Sequence, residues 1–246
     1  MLRNYRKKQV LAVPVLVCLL TLLSQENVSA MHIMEGYLPP IWSLIWFIVF
    51  LPFFLLGIKE IRRVIHRDPS AKTMLALSGA FVFVLSSLKI PSVTGSSSHP
   101  TGVGLGTALF GPSVISVLGS ICLLFQALLL AHGGITTLGA NAFSMAVAGP
   151  FVGFASYRVA RRLHLSQQVS LFLCAAFADL ATYITTSVQL ALVFPDPVSG
   201  FGGSLVKFLG VFLMTQIPIA IVEGLLTVVF YNLLSDSLPV FKEVFR

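Results

Sequence analysis

The chain has 246 residues, of which 56% are hydrophobic and only 10% charged, and its mean hydropathy is +0.92. These values lie far outside the range of soluble domains and describe a polytopic membrane protein. The formal net charge of +7 arises mainly from the first eight positions and from loops between apolar runs, so it does not imply nucleic-acid binding.

Residues 1–30 read as an export signal. A basic start (Arg3, Arg6, Lys7, Lys8) precedes an apolar run from Val10 to Leu23 and a polar tail ending Val28-Ser29-Ala30, with small residues where a signal peptidase reads. The alternative is an ordinary first transmembrane helix, but the run is shorter than the roughly 20 residues a bilayer demands and contains Pro14. Cys18 does not fit a lipoprotein site, because Leu16-Val17 before it lacks the small residue needed there. Cleavage after Ala30 leaves Met31 with a free amine and His32 as the second residue.

That terminus is a chelate. The Met31 amine, the His32 amide nitrogen and the nearer His32 ring nitrogen close a five-membered and a six-membered ring around one ion. The amide must lose its proton, which a late first-row ion can induce and magnesium or calcium cannot. Planar nitrogen ligation suits nickel(II) or copper(II), and low-spin cobalt(II) accepts it too. A fourth donor is still required, and taken alone a Met-His pair is a weak signal.

Six apolar runs follow, near Ile41 to Ile58, Met74 to Leu88, Val114 to Ala131, Asn141 to Tyr157, Val169 to Phe194 and Leu205 to Leu234. Lys59, Arg62, Arg63, Arg67 and Lys72 follow the first run, which makes that loop cytoplasmic and puts the mature N-terminus outside. Six crossings alone would leave Arg158, Arg161, Arg162, Lys242 and Arg246 outside, against the positive-inside tendency. One more crossing repairs this. The segment His99 to Pro112 is apolar enough to enter the bilayer but too short and glycine-rich for a regular span, and broken backbone of this kind marks substrate sites in transporters. The expected fold is an all-α membrane bundle of about seven crossings, one short and broken, with the mature N-terminus outside and the C-terminus cytoplasmic. A re-entrant loop at 99–112 is the alternative. Residues 31–246 then form one integral membrane domain.

This topology brings His99 and His132 to the side of Met31. His99 is the preferred fourth ligand, since it opens the broken segment beside Pro100, Gly102 and the small Ser96, Ser97 and Ser98. His132 is either an outer partner that orients a ligand or a helix-end residue. Glu35 either orders the chelating strand by accepting backbone hydrogens or draws cations in, and Asn141 is a further candidate for the surroundings of the site. His66 and His164 fall in basic loops and read as solvated. Cys122 and Cys174 sit in apolar runs without metal spacing and read as packing residues. Gln126, Asn141, Asp179, Gln189, Gln216 and Glu223 must face protein or water. Asp179 and Glu223 are read first as hydrogen-bonded bundle residues, with an ion relay as the alternative. The small residues Ala142, Ala146, Gly149 and Gly153 mark close helix approach, within the bundle or against a partner.

Met-His-Ile-Met-Glu-Gly-Tyr-Leu-Pro-Pro at 31–40, Ser-Ser-His-Pro-Thr-Gly at 97–102 and the long run from Phe125 to Met145 resemble CbiM, the cobalt-capture family of energy-coupling factor transporters. The resemblance extends through Asp179-Leu-Ala-Thr-Tyr and Thr186-Ser-Val-Gln-Leu-Ala-Leu. It departs at Ala146 to Pro150, where a second glycine is expected. The resemblance implies metal held by the Met31 amine, the His32 amide and ring, and His99, with cobalt as substrate for cobalamin biosynthesis and nickel as the alternative. It also implies a small accessory membrane subunit, a transmembrane coupling protein and ATP-binding subunits, and no enzymatic activity or cofactor in the chain itself. Independently, the sequence has no Gly-x-x-x-x-Gly-Lys-Ser/Thr phosphate loop. Nor does it carry the His-Glu-x-x-His helix of a metalloprotease. A metal channel or sensor and a vitamin-capture subunit are the other classes to be weighed.

Overall fold

The computed structural model describes residues 32–88, 90–91 and 97–237. The expected leader and cleavage point, with Met31, Ser96, Lys242 and Arg246, lie outside the described residues.

The described fold is all-helical apart from one two-residue antiparallel ladder. In chain order the elements are α1 (Pro40–Arg67), α2 (Ala71–Ser86), β1 (Ile90–Pro91), β2 (Ser97–Ser98), α3 (Val103–Phe110) and α4 (Pro112–Leu130). There follow α5 (Leu138–Ala142), a π-helical turn (Phe143–Ala148), α6 (Gly149–Arg162), α7 (Gln167–Val193) and α8 (Gly200–Ser237). From α5 to α6 the chain is one continuous helix, Leu138–Arg162. Five helices among the described residues are long and apolar enough to cross a membrane, namely α1, α4, the α5–α6 helix, α7 and α8. The protein is a multi-pass membrane protein.

Chain punctuation follows from backbone chemistry. Pro40 opens α1 and Pro112 opens α4, where proline's missing N–H costs nothing and its fixed φ suits the first turn. Gly102 (φ 72°) and Gly111 (φ 82°) bracket α3 in conformations that disfavour a side chain. This turns the expected broken crossing into an eight-residue helix between two glycine breaks. The last apolar run is a longer helix than hydropathy suggests, 38 residues that continue through Pro218.

Two kinds of surface divide the bundle. α1 buries only Phe50 and Gly57 and turns Leu44, Ile48 and Leu55 outward, as a lipid-facing helix must. α7 is the opposite, packed along both α6 and α8 and carrying the buried polar residues Asp179, Tyr183 and Gln189. Gly149 and Gly153 bring α6 against α7: a Cβ at Gly149 would meet the Thr182 hydroxyl, and one at Gly153 would lie 2.6 Å from Cys174 O. The small-residue stripe therefore serves internal packing. Cys122 and Cys174 are buried free thiols. Val82, Val103, Ile115, Met145 and Ala178 form a core cluster joining α2, α3, α4, the π-turn and α7.

Candidate metal centre

Three histidines separated by up to 100 positions converge at one end of this bundle. His32 precedes α1, His99 follows β2 and His132 follows α4, and all three are buried. Ring centroids lie 4.5 Å apart for His32 and His99, 4.5 Å for His32 and His132, and 5.1 Å for His99 and His132. One nitrogen from each ring lies within 4.8 Å of the others, the spacing of a metal site.

The N-terminal strand is docked by side chains of the segment after α4. Asn141 Oδ1 accepts from Ile33 N at 2.8 Å, and Asn141 Nδ2 donates to Ile33 O at 3.0 Å. Thr137 adds its hydroxyl to Ile33 O at 2.6 Å. One residue pair further on, the Glu35 carboxylate accepts from Ile135 N at 2.5 Å and Thr136 N at 3.2 Å. Hydrogen bonds from Thr136, and from the Ile135 amide, hold the Glu35 carboxyl below its ordinary pKa. Glu35 and Asn141 thus act on the backbone of the segment and its dock.

Glycine makes the dock possible. A Cβ at Gly134 would stand 2.5 Å from Glu35 Cα, and one at Gly133 (φ 79°) would stand 3.1 Å from His32 Cβ. The His-Gly-Gly sequence therefore lets two backbones touch where side chains would hold them apart.

His99 is fixed from three sides. Its N–H donates to Tyr183 Oη at 3.1 Å, and its carbonyl accepts from Tyr183 Oη at 2.6 Å and Gln216 Nε2 at 3.2 Å. Its Nδ1 lies 3.1 Å from Pro100 O. A carbonyl can only accept, so Nδ1 carries the proton and the ring lone pair resides on Nε2, the nitrogen suited to a metal. Behind this residue, Gln216 Nε2 also donates to both Asp179 oxygens at 2.8 and 2.7 Å. Glu223 adjoins Asp179 and caps the start of α3, accepting from Thr101 N at 2.5 Å and Gly102 N at 2.9 Å. Asp179 and Glu223 are hydrogen-bonded bundle residues that brace the segment bearing His99.

His132 is aimed by a reversal of the chain. Ala131 is left-handed (φ 46°), His132 N donates to Gln126 O at 3.1 Å, and the buried Gln126 side chain is anchored on Ser86 Oγ at 2.6 Å. His66 and His164 are exposed, and lie outside the cluster. Sequence reasoning did not single out Thr136 and Thr137 as docking groups. Their signal was local, two adjacent hydroxyl residues one position beyond a double glycine.

Fold and site together define a membrane-embedded helical bundle that gathers three imidazoles in a buried cluster. A family profile described as "Cobalt uptake substrate-specific transmembrane region" (CbiM) matches residues 32–240. The chain is 73% identical over 214 residues to the cobalt transport protein CbiM of Streptococcus sanguinis, covering 87% of this chain and 88% of that one. It is 59% identical over 217 residues to that of Salmonella typhimurium, covering 88% and 89%. Among solved structures, a truncated transition metal transporter superposes with a TM-score of 0.74 at 29% identity, over 83% of this chain and 99% of that one. The chain belongs to the CbiM family.

Proposed function

We propose that this chain is the capture subunit of an ATP-driven importer of the energy-coupling factor class, and that its substrate is Co2+ destined for cobalamin biosynthesis. Signal cleavage after Ala30 frees the Met31 amine. That amine, the deprotonated His32 amide, the His32 ring and His99 Nε2 hold the ion in a plane of nitrogen. The observation that carries the reading is the buried convergence of His32 and His99 across 67 positions, with the His99 tautomer fixed by Pro100 O. The names of the relatives favour cobalt over nickel, which the same donors also accept.

The chain crosses the membrane about seven times, with its mature N-terminus outside and its C-terminus cytoplasmic. Support for the short crossing comes from packing. Gly102 lies against Val82 and Leu85 near the end of α2, Gly106 against Ser78, and Leu109 and Phe110 join the cluster containing Met74. From Gly102 to Gly106 the segment thus runs antiparallel to the second half of α2. Having no phosphate loop, the chain draws on partners for energy: ATP-binding subunits, a transmembrane coupling protein and a small accessory membrane subunit. It carries out no catalysis itself.

The test inserts one alanine between Ala30 and Met31 while keeping cleavage after Ala30. Histidine then stands third, and an amine, two amides and an imidazole complete the plane without His99. Cobalt binding should survive His99→Ala in this background, while uptake in vesicles containing the ATPase subunits falls because release is slow. Uptake unchanged both by the insertion and by His99→Ala alone would overturn the ligand set.

A further inference from the structure

The three ring separations carry information beyond proximity. An imidazole bound at about 2.0–2.1 Å puts its centroid about 3.2 Å from the ion, so rings at right angles have centroids about 4.5 Å apart and rings on opposite sides about 6.4 Å. The observed 4.5, 4.5 and 5.1 Å suit three rings that are all neighbours around one shared ion, with no pair on opposite sides of it.

In the planar set, the His32 amide sits between the Met31 amine and the His32 ring, so amine and ring occupy opposite corners. The fourth corner, opposite the amide, adjoins the His32 ring. His99, 4.5 Å from His32, meets that requirement. A third ring adjacent to both His32 and His99 has no corner left in the plane, because no corner adjoins both. The position it can take is above the plane.

We infer that His132 is an apical fifth donor to the ion, and that this donor favours cobalt over nickel; the inference rests on the Met31, His32 and His99 assignment. Low-spin cobalt(II) is d7 and holds one electron in the orbital along the axis, so a fifth nitrogen stabilises it. Planar nickel(II) is d8, fills that orbital and repels the same donor. The cluster is built to hold His132 in place before any ion arrives. The ring follows a left-handed Ala131, its amide is tied to Gln126 O, and the next residue, Gly133, abuts His32 Cβ. The His99 and His132 rings stand at 88° to each other.

The experiment is frozen-solution electron paramagnetic resonance of the purified mature protein loaded with Co2+, prepared with natural-abundance histidine and with [15N]histidine. One axial 14N splits each parallel cobalt hyperfine line into three, and 15N in its place reduces the three to two. His132→Ala should retain one low-spin cobalt per chain, lose the splitting and bind cobalt about tenfold more weakly, with nickel affinity changed by less than about threefold. The labelled wild type decides the matter even if the variant does not fold. Unsplit low-spin lines in the wild type, or splitting that persists in His132→Ala, would overturn the role of His132 and leave the planar set standing. Failure of the wild type to bind cobalt would overturn the planar set and His132 with it.

Discussion

Asn141 holds the peptide of Ile33 with both ends of its side-chain amide, accepting from Ile33 N at 2.8 Å and donating to Ile33 O at 3.0 Å. The pair mimics one rung of a β-ladder between a helix and the extended segment before α1, which Thr137 and Glu35 also hold. It fixes the chain one residue after His32, so His32 extends from a fixed point.

Replacing Asn141 by Asp sets an acceptor against the Ile33 carbonyl. Cobalt affinity of Asn141→Asp should fall by about 10–100-fold, the usual cost of disturbing the groups around a ligand. Titration calorimetry on the solubilised protein checks this, with circular dichroism expected to show unchanged helix content.

Gly134→Ala adds a Cβ 2.5 Å from Glu35 Cα and 2.6 Å from Glu35 N. Backbone cannot yield as a flexible side chain can, so the strand must leave its dock. Loss of cobalt binding with the bundle intact is expected. Protease accessibility of residues 32–38 in the apoprotein is the readout, with Gly79→Ala, where a Cβ meets nothing, as the control.

Glu223→Ala leaves the N–H groups of Thr101 and Gly102 buried without their acceptor. The expected loss of stability is about 2–6 kcal/mol, from two orphaned donors at about 1–3 kcal/mol each. A thermal-shift measurement should show it, and cobalt affinity should fall as well because the same segment carries His99.

Glu35 gives a pH dependence of definite sign. Its carboxyl titrates lower when docked than its ordinary 4.5, chiefly through Thr136, so its stabilising contribution is fully present above that value. The contribution is lost as pH falls through the lowered, docked pKa. Amide exchange at Ile135 and Thr136 in the apoprotein should rise, relative to the intrinsic rate, only below about pH 4.5. Glu35→Gln should abolish that dependence.

Much of this was legible in the chain. His32 and His99 stand out because one follows a stretch that reads as an export signal and the other opens a glycine-rich apolar segment, both local signals. The helices followed from hydropathy, although α8 runs beyond its apolar window and α3 is far shorter than a span. His132 was harder to read. Its place beside the other two rings depends on a left-handed alanine and a hydrogen bond back to Gln126, neither of which composition encodes. The roles of Asp179 and Glu223 were open for a similar reason: a buried carboxyl declares itself in sequence, but its partners lie 37 and more than 100 positions away.

The most direct test compares equilibrium cobalt binding by the mature protein, its N-terminus verified by mass spectrometry, with binding by a cleavage-blocked precursor. Mature chains beginning at Met31 should bind one cobalt each, and the precursor and His32→Ala should bind none at the same concentration. A precursor that binds cobalt as tightly as the mature chain would contradict the account.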